Sequence, residues 1–427
     1  MTDIKNNMTA SKMYERSISL PRGTLDLTYQ TNFSGDSKNY ELEDLLGFAQ
    51  RINPKRAFLF VSKVLGRHIP VAPGTMRHAF TDLANLVPDD LPEPILVIGM
   101  AETAVGLSAG VHQALQTRYP NALLLNSTRH SQHNKNNTET LLTTFSEDHS
   151  HASQHLIYQS ADTVTQAQLL ASKTLIMVDD EASTGNTCVN VVTALRNAGL
   201  TELEQVHLTT LVDWSLNQNQ AQADVDDNIS TRLPNIDFHR HHLLSGAWQW
   251  TDATNPESIT MPSVDTTEAG SYALGDTGNW GRFPTLDSTD GFAFYLTKFQ
   301  AAFNLFNQQA QSEKASFEKE QLPQRILVLG SNEFVWLPFL LAEWLETQTQ
   351  NATVKFSALT RSPIALGGAI TTMLSFSDNY GLGMTNFAYN VEPSDWDLIV
   401  LCVETSADSV DEMWKDLDNV LVVSPTL

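Results

Sequence analysis

The sequence predicts an α/β protein: a doubly wound parallel sheet, followed by a second, C-terminal α/β domain. Three observations predict it. Short, wholly apolar runs such as Ile95–Gly99, Leu175–Val178 and Ile326–Gly330 have the composition of strands buried on both faces. Each run is followed by a polar turn rich in Gly, Ser, Thr or Asp and then by a segment of helical periodicity, the alternation that builds parallel sheets. With 427 residues, the chain is too long for a single core and suits two or three domains.

The elements follow in order. Residues 1–25 lack sustained periodicity and predict a mobile lead-in. Glu41–Ala49 is expected to be a helix, Ala57–Val61 a strand, and Thr75–Leu86 a helix closed by Pro88. Ile95–Gly99 and Thr103–Tyr119 form the next strand and helix, and Ala122–Leu125 another strand. The polar stretch from Asn126 to Ser153 is longer than an idle connection needs. Leu175–Val178, the helix Val189–Ala198 ending at Gly199, and Val206–Val212 complete the first domain, assigned to residues 26–250. Residues 251–285, rich in Asn, Asp, Thr, Pro and Gly, are the expected linker. In the second domain, residues 286–427, a helix at Gly291–Phe306 precedes the strand Ile326–Gly330. After it come a helix at Phe334–Gln348 and strands at Val354–Leu359, Asp397–Val403 and Asn419–Val423. Ser362 followed by Pro363 has the chemistry of a helix start.

Composition narrows the function. Twenty-six Lys and Arg against 49 Asp and Glu give a net charge of −23, which opposes nucleic-acid and anionic-membrane binding. Cys188 and Cys402 are too far apart in sequence to suggest a disulfide framework or metal cluster. With no apolar run of signal-peptide or membrane-span type, the expectation is a soluble cytoplasmic protein.

The segment Leu175–Thr187, LIMVDDEASTGNT, carries the chemistry. Four apolar residues bury a strand, so Asp179, Asp180 and Glu181 sit at its carboxyl end. Gly185 allows close backbone approach, and the amides of Ser183, Thr184, Gly185, Asn186 and Thr187 at a helix N-terminus form an anion cradle with added hydroxyl donors. Acids directly before a phosphate cradle suit the vicinal hydroxyls of a ribose or a hydrated Mg²⁺ ion. Gly99–Gly106 (GMAETAVG) likewise follows a buried strand and opens a helix. No Walker or dinucleotide glycine pattern occurs.

This segment closely resembles the phosphoribosyl-pyrophosphate (PRPP) signature of type I phosphoribosyltransferases. Further stretches, Gly47–Pro70, Gly99–Gly106 and Phe145–Ala152, are similar to the phosphoribosyltransferase-like family associated with tellurite-resistance gene clusters. Thr360-Arg361-Ser362-Pro363 is the signature after which that family's C-terminal TRSP domain is named. His130, after Thr128-Arg129, stands where members tend to carry Tyr.

The resemblance implies that Asp179 and Asp180 position the ribose and hold Mg²⁺ through water, while Ser183–Thr187 bind the 5-phosphate. Met100, Ala101, Glu102 and Thr103 would hold pyrophosphate, with Lys63 and Arg129 as further contacts. Asn126–Ser153 would be a hood that excludes water, its Glu147 and His149, with Asp148 and His151 beside them, supplying acid or base groups. Glu333, Thr360, Arg361 and Ser362 are ligand candidates in the second domain. The implied activity is Mg²⁺-dependent phosphoribosyl transfer between PRPP and a base or base-like acceptor, in a nucleotide-like pathway tied to stress-resistance operons. A homodimer and partner enzymes of the same operon remain open.

Five bases between Arg51 and Arg67 (Arg51, Lys55, Arg56, Lys63, Arg67) with no acid among them suggest a local positive patch. His151 with His155, and His239, His241 and His242, invite a metal reading, yet neither set has a recognised spacing, and a surface loop is the expectation for the second. Two other readings stand beside the enzyme: a PRPP or nucleotide sensor that performs no transfer, and a protein whose main chemistry lies in the C-terminal domain.

Overall fold

A computed structural model of the protein describes residues 12–31, 40–51, 56–131, 141–146, 154–216, 229–256, 258–264, 277–310, 323–348 and 351–426. In chain order the first half contains β1 (Met13–Leu20), β2 (Gly23–Thr31), α1 (Leu42–Leu45), β3 (Leu46–Arg51), β4 (Phe58–Ser62) and α2 (Pro73–Asn85). Then come β5 (Ile95–Gly99), α3 (Val105–Leu115), β6 (Leu123–Asn126), β7 (Leu141–Ser146), β8 (Gln154–Tyr158), α4 (Thr163–Leu170), β9 (Thr174–Ala182), α5 (Asn186–Asn197), β10 (Gln205–Asp213) and β11 (Asp237–Asp252). The second half contains α6 (Phe292–Ala310), β12 (Arg325–Ser331), α7 (Trp336–Gln348), β13 (Thr353–Leu359), β14 (Ile364–Ala365), β15 (Met373–Ser377), β16 (Thr385–Tyr389), β17 (Leu398–Cys402), α8 (Glu412–Lys415) and β18 (Val420–Val423).

Seven strands form the main sheet in the order β1-β2-β11-β10-β9-β5-β6. Its strands from β11 to β6 run parallel, and β2 and β1 add antiparallel at one edge. Period-two burial explains why. In β5, Ile95 and Val97 join one core cluster and Leu96 and Ile98 the other; in β9, Ile176 and Val178 face the first, Leu175 and Met177 the second. Both faces are therefore covered, which makes these strands wholly apolar rather than alternating. The second half repeats the principle in a parallel four-stranded sheet, β13-β12-β17-β18. The α/β class and the two-part architecture expected from the sequence are thus present.

The halves share structure. β14 pairs with β3, Val71 and Phe356 exchange both backbone hydrogen bonds at 2.8–2.9 Å, and the largest core cluster runs through α2, α3, α7 and β13. Residues 277–291, directly before α6, also contact the first sheet: Thr285 and Leu124 exchange backbone hydrogen bonds, which covers the β6 edge.

Four expectations are corrected. Residues 13–25 form a hairpin with the strand after them instead of belonging to a mobile lead-in; the exposed positions of β1 hide its pairing from an apolar-pattern search, and residues 1–11 lie outside the described residues. Only Leu42–Leu45 of the expected helix 41–49 is helical, since Leu46–Gln50 pairs with β4. No helix follows Ser362-Pro363: Ile364 and Ala365 are drawn into the strand pair with β3, and the Tyr389 hydroxyl donates to the Ser362 carbonyl at 2.7 Å. His239, Arg240, His241 and His242 lie in β11, not in a loop.

Candidate active site

At the carboxyl end of β9 the strand carries Asp179, Asp180 and Glu181 directly into the turn 183–185. Gly185 caps α5 with φ 75°, a left-handed conformation that glycine adopts without strain. The Asn186 amide donates to Thr184 Oγ1 at 3.3 Å, closing the turn around the helix N-terminus. Behind it lies Arg240, whose Nη1 donates to the Ser183 carbonyl at 3.3 Å and to both Asp213 oxygens at 3.1–3.3 Å. This buried pair braces the cradle from the neighbouring strands. Arg232 steadies its other side, donating to Asn186 Oδ1 at 2.7 Å.

The cradle opens into a cavity of about 180 Å³ lined by Asp179, Glu181, residues 182–188, Arg56, Trp214 and Trp248. Arg56 makes a bidentate pair with Glu181 at 2.7 and 3.1 Å, and the Trp214 indole donates to Glu181 Oε2 at 3.1 Å. Glu181 is thereby tied to the wall, and Asp179 lines the same cavity beside it. Burial, and next the negative charge of Glu181, push Asp180 up to about 6. A divalent cation would reverse that shift, and two adjacent hard oxygen donors suit Mg²⁺. Cys188 is buried, and burial pushes its thiol up to about 12, which keeps it protonated.

Because Gly99 is in register with Val178, the loop after β5 lies beside the acids. Met100, Ala101, Glu102 and Thr103 form this loop, with a cis peptide between Ala101 and Glu102. The Ala101 amide donates to Ser127 Oγ at 3.0 Å, and Ser127 in turn meets buried His155 at 3.0 Å. Glu102 is buried, paired with Arg67 and 3.6 Å from Arg361. Gly99 is packed so tightly that a Cβ would fall 2.1 Å from Ser108 Oγ and 2.4 Å from Asn126 Oδ1, atoms joined by a 2.6 Å hydrogen bond. Gly99→Ala is expected to lower stability by about 1–3 kcal/mol and to displace the loop; denaturant melts and ligand titration check both effects.

The remaining sequence candidates are dispersed. Lys63 donates from its ammonium to the Glu43 carbonyl at 2.8 Å. Arg56 pairs with Glu181 and Arg67 with Glu102, so with Lys63 these bases serve separate partners, while Arg51 Nε donates to the Arg56 carbonyl at 3.4 Å; Lys55 lies outside the described residues. Glu147, Asp148, His149 and His151 lie outside them too, so of the hood only the β7–β8 hairpin and residues 127–131 are described. Arg129 and Glu333 meet: the Arg129 amide and the Thr128 hydroxyl donate to the two Glu333 oxygens at 2.8 and 2.5 Å. Thr360 Oγ1 accepts from the Ser362 amide at 3.1 Å. His207, His239 and His241 stack across β10 and β11, and among the described residues no group of three His, Cys, Asp or Glu could hold a metal ion. No helix among the described residues is long and apolar enough to cross a membrane.

A strand-end acid pair, a glycine turn at a helix N-terminus and a loop from the adjacent parallel strand lie side by side in a phosphoribosyltransferase-type domain, since residues 45–244 match the family model described as phosphoribosyl transferase. Residues 298–420 match the TRSP domain found C-terminal to it, and the chain belongs to the family that joins these two domains. No curated protein matches the chain. Solved structures with a similar fold include adenine phosphoribosyltransferases from Trypanosoma brucei (12% identity, 47% of this chain and 77% of that one, TM-score 0.30), Leishmania tarentolae (13%, 48% and 85%, 0.32) and Giardia lamblia (11%, 47% and 96%, 0.28). At these scores they carry no information on substrate.

Arg240, Arg56, Trp214 and Trp248 are site residues that local motifs do not mark. Arg240 and Trp248 come from β11, more than fifty residues after the motif, and only the sheet order places them beside it.

Proposed function

We propose that the protein transfers a phosphoribosyl group between PRPP and a base-like acceptor in the presence of Mg²⁺. The observation that carries this reading is the joining of the acid pair and the 183–187 cradle on β9 with the 100–104 loop on β5, side by side at one sheet edge. Ribose 5-phosphate fits such a cradle with its hydroxyls on Asp179 and Asp180 and its phosphate on the amides of 183–187. The 100–104 loop then stands where a pyrophosphate group would depart. These donors are fixed before reaction, so they stabilise developing charge on the leaving group without reorganising. Bound Mg²⁺ would neutralise the polyphosphate and hold the sugar oxygens. A cytoplasmic setting and a role in stress-resistance operons belong to this proposal as consequences of the sequence resemblance.

Calorimetric titration of PRPP with and without Mg²⁺, followed by pyrophosphate release across purine, pyrimidine and azole acceptors, tests the reading. Binding that disappears on addition of EDTA, with release for one acceptor, is the expected result. A folded protein that binds no PRPP would overturn it, and binding without release for any acceptor would make the protein a sensor.

A further inference from the structure

The carboxyl edge of the C-terminal sheet does not face solvent. The loops after β12 and β13 meet the first domain directly, and the loop after β17 reaches it through Tyr380. After β12, the Asn332 carbonyl accepts from Arg67 Nη1 at 2.6 Å and Glu333 accepts from Thr128 and the Arg129 amide. After β13, Arg361 reaches Glu102 in the 100–104 loop. After β17, Glu404 pairs with Arg282 and accepts from the Tyr380 hydroxyl at 2.7 Å, and the Tyr380 ring stacks on His130 at 4.5 Å. Asn332 is fully buried at φ 54°, and its side-chain amide has no partner among the described residues.

Resting on the phosphoribosyl reading above, we infer that the two domains form one composite site: Arg361, acting through Glu102, is a positioning residue that holds the 100–104 loop in its pyrophosphate-binding shape. Two facts support the direction of this coupling. Glu102 is buried between Arg67, from its own domain, and Arg361, so removing Arg361 frees one side of a carboxylate that the loop cannot expose to water in place. Arg67 also senses Arg361, Arg129 and Asp180 together, which puts the guanidinium cluster within electrostatic reach of the ribose-binding acids. The C-terminal domain therefore acts on the pyrophosphate side of the site and leaves the 5-phosphate cradle on β9 untouched.

The test separates the two ends of the ligand. Ribose 5-phosphate, PRPP and inorganic pyrophosphate are titrated into the full chain as wild type, Arg361→Met, Arg361→Lys, Glu102→Gln and the double variant Arg361→Met/Glu102→Gln. Arg361→Met is expected to bind ribose 5-phosphate within twofold of wild type and to bind PRPP and pyrophosphate at least tenfold more weakly, with Arg361→Lys recovering part of the loss. If Arg361 works through Glu102, the double variant is no weaker than the more affected single one. Losses that multiply would mean that Arg361 touches pyrophosphate itself and would overturn the positioning role. Unchanged PRPP binding in Arg361→Met would overturn the composite site while leaving the phosphoribosyl reading in place. A wild type that binds neither ribose 5-phosphate nor PRPP would remove both. Retained ribose 5-phosphate binding shows that each variant has folded.

Discussion

Asp180→Asn is expected to reduce kcat/KM for phosphoribosyl transfer by about two orders of magnitude or more while leaving the melting temperature close to wild type. The substitution keeps the shape of the side chain and removes its charge at the one position where the site crowds negative charge. Asp180 lies against Asp179 and Glu181, and burial together with the Glu181 charge disfavours its ionised form. The folded protein therefore gains little from the Asp180 charge without ligand, and losing it should not weaken the fold. In the proposed reaction the ligand gains from it, because ribose hydroxyls donate more strongly to a charged acceptor and Mg²⁺ favours hard anionic oxygen. Steady-state kinetics with a thermal melt of the same preparation check the two halves of the claim. Unaltered turnover would remove Asp180 from the site, and a large drop in melting temperature would show that its charge is structural. Arg56→Met should behave in the opposite way, because it leaves the half-buried Glu181 carboxylate with only the Trp214 indole and so loosens the wall before it affects chemistry.

The cradle was legible because it is contiguous. Strand, acids, glycine turn and helix all fall within Leu175–Thr187, and each residue type has a local reason to be there. Apolar runs located the central strands for a similar reason, since burial on both faces leaves a compositional mark. What supports the cradle left no such mark. Arg240 sits among the polar histidines expected in a surface loop, yet it is 8% exposed in the side chain and bound to Asp213 and to the loop carbonyl of Ser183. Periodicity reports that a residue is buried or exposed; it does not report its partner. Arg361 illustrates the same limit: the sequence marks it as a ligand candidate, and the structure sets it near Glu102, far earlier in the chain. The two-residue strand β14 is too short to carry a pattern at all, and it overrode the helix-start chemistry of Ser362-Pro363 by pairing with β3.

Phe80→Ala is expected to destabilise the protein by about 3–5 kcal/mol and to shift the melting of both halves together. Phe80 lies on α2 of the first domain and is fully buried, with ring centroids 5.4 Å from Phe339 and 6.3 Å from Trp336, both on α7 of the second. On its other side it packs against α3 so closely that a Cβ on Gly110 would fall 2.1 Å from the ring. No neighbour is free to fill the space, because α3 and α7 are fixed by their own sheets. An interface built this way resembles a core cut in half more than a contact between mobile domains. The backbone pairs of Val71 with Phe356 and of β3 with β14 reinforce it. Differential scanning calorimetry should therefore show one transition in wild type and one, at lower temperature, in the variant. Two resolved transitions, with only the first moved by the substitution, would mean that the halves are independently stable. That result would also weaken the composite site, since Arg361 can set the shape of the 100–104 loop only if the domain that carries it is held rigidly against the first.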